Sequence, residues 1–269
     1  PCELPVAQRL IADERVRMIS FTGSAKAGWA IRAGAGTKRV ALELGGNAGV
    51  IVEPDADLDR AVERCAVGGY AYAGQSCISV QRILVHRDVY DEFLRRFVTR
   101  VGTLRTGDPL DPATEVGPMI DEAAAQRAEG WIAAAVRDGA RVECGGGRAR
   151  AVLEPTVLTR TSPSQQVNCE EVFAPVTTVT PYAGFDEAVA RINGTAYGLQ
   201  AGIFTRDVRR LMQAWERLDV GGVMGNDIPS FRVDRMPYGG SKASGLGREG
   251  VRYAIQEMTE PRLLTLQTE

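Results

Sequence analysis

The sequence predicts an α/β fold built on a mostly parallel sheet, and three features predict it. Short apolar or β-branched runs alternate with amphipathic helical segments along most of the chain, the pattern of strands joined by helical crossovers. AGVIVE (48–53) is apolar throughout instead of alternating, as in a strand covered on both faces. With 269 residues, 44% hydrophobic and 25% charged, the chain is long enough to bury a large core as one domain or two moderate ones.

The elements follow in order. VRMISFTGS (16–24) reads as a strand closing on a Gly-Ser turn, and AKAGWAIRAGAG as a helix stopped by Gly34 or Gly36. A helical pattern also begins almost at once after Pro1. RVALELGG (39–46) is a second strand with Val40, Leu42 and Leu44 on one face. After AGVIVE comes a helix capped by Asp55 or Asp57, with Leu58, Val62, Cys65 and Ala66 on one side. A Gly-Gln-Ser-Cys loop leads into strand QRILVH and a helix bearing Phe93, Phe97 and Val101. GDPLDPATEVGPMI (107–120) is loop, and DEAAAQRAEGWIAAAVRDG is helix. RVECGG ends a strand, and VLEPTVL is an edge-like strand broken by its proline. VTTVTPY, FDEAVARING, LQAGIFT, DVRRLMQAWERL and VGGVMG continue the alternation. Residues 226–250 form a long turn-rich loop, a length that in a compact domain points to function or disorder. PRLLTLQ at the end reads as an apolar strand whose partner is expected in another chain.

A formal net charge of -2 supplies no basic groove for nucleic acid, and the clusters RVRM, RRF and VRR read as solvated faces. No apolar run reaches the length of a membrane span, and neither a signal peptide nor a basic leader is read at the start. Cys2, Cys65, Cys77, Cys144 and Cys169 are odd in number and irregularly spaced, which favours free thiols in a reducing cytoplasm over disulfides or a metal site. His86 is the only histidine and reads as a strand-end residue. The chain begins at Pro1 without an initiator methionine, and the expectation is a piece of something longer.

Four motifs carry candidate chemistry. FTGS with Gly28 sends a strand into Gly23-Ser24 and a helix, which aims free amides at an anion such as a dinucleotide pyrophosphate; a plain strand–helix turn has the same look. In LELGGN, Glu43 stands between leucines at a strand end. Desolvation there would raise its pKa and suit a general base, whereas an outward-pointing carboxylate would be inert. In AYAGQSCIS, Gly74 allows close approach to Cys77, whose thiol could be reached and whose amide could hold a developing oxyanion. The alternative is a core cysteine, the main reading for Cys2, Cys65 and Cys144, with Cys169 ambiguous. In CEEVFAPV (169–176), one acid can enter a pocket while its neighbour stays solvated, and a carboxylate in a cofactor cleft accepts the hydroxyls of a ribose.

Together, FTGS at 21, LELGGN at 42, GQSC at 74, EEVFAPV at 170 and PYGGSKASGLGRE at 237 resemble the NAD(P)-dependent aldehyde dehydrogenase superfamily in order and separation. The resemblance implies an aldehyde-dehydrogenase-like α/β fold: residues 1–43 as the last strand–helix unit of a Rossmann-type cofactor domain, 44–250 as a parallel-sheet catalytic domain, and 251–269 as an oligomerisation segment with a strand near 255–266. It implies Cys77 as nucleophile and Glu43 as the base that hydrolyses the thioester. It implies Gly23, Ser24, Gly28, Leu44, Glu171 and Phe173 as contacts to NAD or NADP, with Leu44 acting through its carbonyl. The expected partners are a small aldehyde substrate and further copies of the chain in a homodimer or homotetramer, in the cytoplasm, with neither nucleic acid nor membrane. The family usually has glycine where this chain has Ala174, so its methyl is expected to crowd nearby backbone. The resemblance covers only the C-terminal part of a family subunit. The oxyanion asparagine and the lysine that contacts the adenosine ribose lie outside it. Two other readings stay open: a non-catalytic fragment or assembly subunit, and a coenzyme-A-acylating dehydrogenase, which the presence of Glu43 disfavours. NDIPSFRVDRMPYGG resembles the substrate loop of branches acting on small hydroxylated or phosphonate-bearing aldehydes, with Arg232 and Arg235 as candidates to pair an anionic group.

Overall fold

The computed structural model describes residues 4–268, so Cys2 lies outside the described residues. The first unit is α1 (Leu4–Ala12), β1 (Met18–Thr22), α2 (Ala25–Gly34) and β2 (Arg39–Glu43). β3 (Ala48–Val52), α3 (Leu58–Tyr70), β4 (Val80–His86), α4 (Tyr90–Gly102) and α5 (Glu122–Arg137) follow, then β5 (Arg141–Cys144), β6 (Arg148–Ala149), β7 (Val152–Leu153), β8 (Thr156–Thr159) and α6 (Gln166–Cys169). The remainder is β9 (Val176–Tyr182), α7 (Phe185–Asn193), β10 (Tyr197–Gly198), β11 (Gln200–Phe204), α8 (Val208–Arg217), β12 (Gly222–Gly225), β13 (Ser241–Lys242), β14 (Gly245–Leu246) and α9 (Val251–Met258).

The central sheet has the order β12-β11-β3-β4-β9-β8-β5, parallel except for the antiparallel β5–β8 pair. Every residue of β3 is buried, because successive side chains of this apolar run leave opposite faces. Val50 and Val52 pack with Cys65 of α3 and with Phe93 and Phe97 of α4, while Ile51 packs with Val189 and Ile192 of α7 and Ala214 of α8. Ser24, Asp57, Asp121 and Asp207 each accept an amide bond as N-caps. Asp55, the other cap candidate, instead holds the Thr205 hydroxyl and the Arg206 amide.

A smaller sheet has the order β1-β2-β14: β1 and β2 run parallel, and β14 returns from the far end of the chain to pair antiparallel with β2. This return sets Gly245 beside Glu43 and draws residues 237–250 onto the candidate site.

Two local expectations change. Residues 259–268 carry no strand within the single described chain, with Leu263, Leu264 and Leu266 exposed; the strand expected there is one formed against another chain's edge. Residues 255–258, expected within that strand, belong to α9, where Val251, Ile255 and Met258 follow helical spacing. The Ala174 methyl is buried as part of the main core. Among the described residues no helix is long and apolar enough to cross a membrane.

Candidate active site

Cys77 lies in the turn between α3 and β4. The chain reaches it through a left-handed bend at Tyr72 (φ 53), Ala73 (φ 55) and Gly74 (φ +67), which costs roughly 1–2 kcal/mol at each of the two non-glycine positions. Close backbone approach explains the glycine, since a Cβ at Gly74 would stand 2.1 Å from the Ala174 carbonyl oxygen. The Gln75 side chain anchors the loop by accepting a bond from the Ile120 amide at 2.8 Å.

The Cys77 side chain is half-buried, with Sγ 3.1 Å from the Tyr238 hydroxyl, and it packs against Ile78, Leu199 and Tyr238. Burial pushes its thiol pKa up and the Tyr238 hydrogen bond opposes that rise, while the Glu171 and Glu43 carboxylates add to it.

Three further glycines join the motifs. A Cβ at Gly46 would meet the Cys77 carbonyl at 2.3 Å, one at Gly45 would meet Glu171 Oε2 at 2.2 Å, and one at Gly239 would stand 3.1 Å from Glu43 Oε1. LELGGN and GQSC therefore meet backbone to backbone at Gly46, while the Glu171 and Glu43 carboxylates lie against the Gly45 and Gly239 backbones.

Glu43 ends β2. Burial, then the Glu249 charge, push its carboxyl up to about 8, against Arg248 and Arg232. Its Oε2 is buried and finds no hydrogen-bond partner among the described residues. The side chain lines a cavity of about 430 Å³ together with Arg232, Asp234, Arg248 and Glu249.

Glu171 and Glu170 divide as expected: Glu170 is exposed, and Glu171 is half-buried with Oε1 accepting the Gly46 amide at 2.9 Å. Gly46, Ser76, Glu171 and Phe173 line one small recess. Phe173 is at φ 49 and 40% exposed, so its ring sits at the rim. Ser24 caps α2 through the Ala27 amide, and the remaining first-turn amides give that helix end the polarity to hold a phosphate group. Gly28 acts inside the fold, because a Cβ there would strike Leu44 Cδ2 at 2.3 Å. Gly23 stands similarly against the Phe21 ring, at 2.6 Å from a built Cβ. Leu44 is buried under α2, and its amide donates to the Ser244 carbonyl at 2.9 Å.

Sequence reasoning passed over the residues that hold these groups. Asn47 Nδ2 donates to the Asn168 and Glu170 carbonyls at 3.0 and 2.8 Å. Gln81 donates to the Val167 and Glu170 carbonyls and accepts from the Val172 amide, so the loop carrying Glu171 is fixed from both sides. A glutamine heading an apolar strand was the available signal, since a buried amide needs partners. Ser244 is fully buried, its hydroxyl donating to the Gly45 carbonyl at 2.7 Å and accepting the Gly198 amide at 2.9 Å; it lies in the PYGGSKASGLGRE motif, which by itself assigns it no role.

The other three described cysteines and His86 are not brought into this site, whereas Arg232 lines the Glu43 cavity. Cys65 is fully buried, its thiol pushed up by burial. Cys144 ends β5, and Cys169 Sγ contacts the Ser164 carbonyl at 3.5 Å. His86 ends β4 with Nε2 3.0 Å from the Ala183 carbonyl. Arg232 pairs with Glu249 at 2.6 Å, and Arg235 is exposed. No metal-binding cluster of His, Cys, Asp and Glu occurs among the described residues.

Comparison with known proteins gives one family. The aldehyde dehydrogenase family model matches residues 3–264. A 3-sulfolactaldehyde dehydrogenase of Priestia aryabhattai is 43% identical over 97% of this chain and 55% of its own length. The crystal structure of aldehyde dehydrogenase 21 from Physcomitrella patens, in complex with the reaction product succinate, superposes with a TM-score of 0.94 at 45% identity, over 97% of this chain and 54% of that one. Glyceraldehyde-3-phosphate dehydrogenase GapN from Methanocaldococcus jannaschii, complexed with NADP, gives 0.91 at 43% identity, over 94% and 55%. The chain spans about half the length of these relatives.

Proposed function

The chain belongs to the aldehyde dehydrogenase family, and we propose that it carries the thiol and carboxylate centre of an NAD(P)-dependent oxidation of an aldehyde to a carboxylic acid. The observation that carries this reading is one half-buried thiol, Cys77, bonded to Tyr238 and packed on Gly46, with the Glu171 carboxylate bonded to the Gly46 amide and the buried, unpartnered Glu43 carboxylate against Gly239.

As thiolate, Cys77 Sγ attacks the aldehyde carbon; the S–C bond forms and the carbonyl π pair moves to oxygen, giving a thiohemiacetal. When bound, a nicotinamide dinucleotide would supply the hydride acceptor; with the hydride gone, that carbon would be left as a thioester on Cys77. Glu43, in its ionised form, takes a proton from water; the hydroxide adds to the thioester carbon, the S–C bond breaks, and the acid leaves. The orphaned Glu43 Oε2 fits that task, because it has an unused acceptor site.

The fit to the dinucleotide rests on the Ser24-capped end of α2 for the phosphates, with Gly23 and Gly28 shaping that turn, and on the recess of Glu171 and Phe173 for the nicotinamide ribose and ring. Leu44 would act there through its carbonyl. Residues 1–43 are read as the last unit of a cofactor domain, 44–250 as the catalytic domain and 251–269 as an oligomerisation segment, of a homodimer or homotetramer. The four described cysteines are free, which supports a reducing, cytoplasmic setting.

For substrate we favour an aldehyde bearing an anionic group. Arg232 and Arg248 line the cavity that Glu43 opens into. The relatives named for sulfolactaldehyde, for succinate as product and for glyceraldehyde 3-phosphate all handle such groups.

Alkylation tests the centre directly. Iodoacetamide should modify Cys77 at least tenfold faster than Cys65 or Cys144, because only a reachable thiolate is nucleophilic. Equal rates would favour the non-catalytic reading. In the complete protein, Glu43→Gln should give one burst of NADH and then stall. Unimpaired turnover with coenzyme A would favour the acylating reading.

A further inference from the structure

We propose that Tyr238 is a positioning residue for Cys77, its phenol donating a hydrogen bond that orients and stabilises the thiolate. The proposal rests on reading Cys77 as the nucleophile and adds a group that favours its ionised form.

The geometry is specific. Tyr238 is 4% exposed, and among the described residues its hydroxyl has one hydrogen-bond partner, Cys77 Sγ at 3.1 Å. A buried phenol needs a partner for its O–H. The residue is pinned at its backbone by Glu249, whose carbonyl accepts the Tyr238 amide at 3.2 Å and whose amide donates to the Tyr238 carbonyl at 2.6 Å. The ring is fixed by Ile78 and Leu199, and the Arg232 guanidinium lies 4.1 Å from its centroid. A cation over the ring favours a more acidic, better-donating phenol.

Among the described residues, neither a helix N-terminus nor a histidine serves to acidify this thiol. Cys77 lies in a turn before a strand, not at a helix N-terminus, and His86, the chain's only histidine, is tied up at the far end of β4. The carboxylates whose charge bears on the sulfur are Glu171 from the loop after α6 and Glu43 from β2, and both oppose a thiolate. The phenol from the 226–250 loop is the group that opposes them, with Arg232 as the cation behind it and Glu249 paired to Arg232.

The test is the pH profile of Cys77 alkylation by iodoacetamide in the chain itself, read peptide by peptide so that Cys65, Cys144 and Cys169 serve as internal references. Tyr238→Phe keeps the ring and removes the donor. Its Cys77 profile should shift to higher pH, with the neutral-pH rate falling about tenfold and the reference thiols unchanged, as expected for loss of a hydrogen bond to a charged group. A ring-fluorinated tyrosine at 238, a more acidic donor, should shift the profile the other way and guards against a folding defect in the phenylalanine variant. An unmoved profile in both, or a shift to lower pH in Tyr238→Phe, overturns the proposal. A wild-type Cys77 no faster than Cys65 would instead remove the nucleophile reading, leaving the two failures distinguishable.

Discussion

Glu43 is where the fold acts most strongly on a single group. Its carboxyl, ordinarily near 4.5, is raised to about 8 by burial first and Glu249 second. A neutral acid cannot take a proton from water, so thioester release should speed up with pH and level off above about 8. Stability runs the other way. Below 4.5 the carboxyl is protonated folded and unfolded; between 4.5 and about 8 only the unfolded state ionises, and stability is lost across that window. Glu43→Gln should therefore be close to neutral at pH 4.5 and stabilise increasingly towards pH 8, by on the order of 2 kcal/mol after discounting for partial exposure. Denaturant melts at several pH values would read this directly. A gain that does not vary with pH would mean the carboxyl ionises normally. The site's main carriers were legible at this scale because cysteine, glutamate and paired acids are chemically conspicuous. The roles of Tyr238 and Ser244 were not, although both stand in the PYGGSKASGLGRE motif, because what a phenol or a serine does in a turn-rich stretch depends on its neighbours in space.

At the scale of elements, the site is held by turns in contact and not by long side-chain reach. Gly46 meets the carbonyl of Cys77, and backbone atoms yield little, so Gly46→Ala should displace the Cys77 turn. We expect the preferential alkylation of Cys77 to be lost while helix content by circular dichroism is retained; unchanged selectivity would show that the contact is not tight in solution. Ser244→Ala removes a buried hydroxyl that bonds two backbone groups, Gly45 O and Gly198 N, and should cost about 1–3 kcal/mol in denaturant melts. Strand and helix assignments from periodicity held for the long elements: β3, β4, α3, α4, α5, α7 and α8 appear where pattern and caps indicated. The return of β14 to β2 was not legible, because a two-residue strand has too little periodicity to read and its partner lies at the opposite end of the chain.

For the molecule as a whole, the chain contains a seven-stranded sheet with helices on both faces and a three-stranded sheet in which β1 has β2 on one side only. A dinucleotide needs more surface than α2 and the Glu171 recess provide. The 269-residue chain alone should therefore bind NADH more weakly than micromolar in a fluorescence titration. Micromolar affinity would mean that these residues form a sufficient cofactor site by themselves. The exposed leucines of residues 259–268 belong to the same scale, because a strand there requires an edge from outside the chain.

By itself the sequence determined the α/β class, the family and the residue types at the centre, since each depends on local pattern: apolar runs for strands, caps and glycine stops for helices, and motifs fixed in order. Only the tertiary structure decided which groups face each other. Tyr238 bonds Cys77, and Glu43 and Glu171 act on it through their charge, from three separate stretches of chain. Desolvation and electrostatic coupling depend on distance in space, and separation along the chain does not specify that distance.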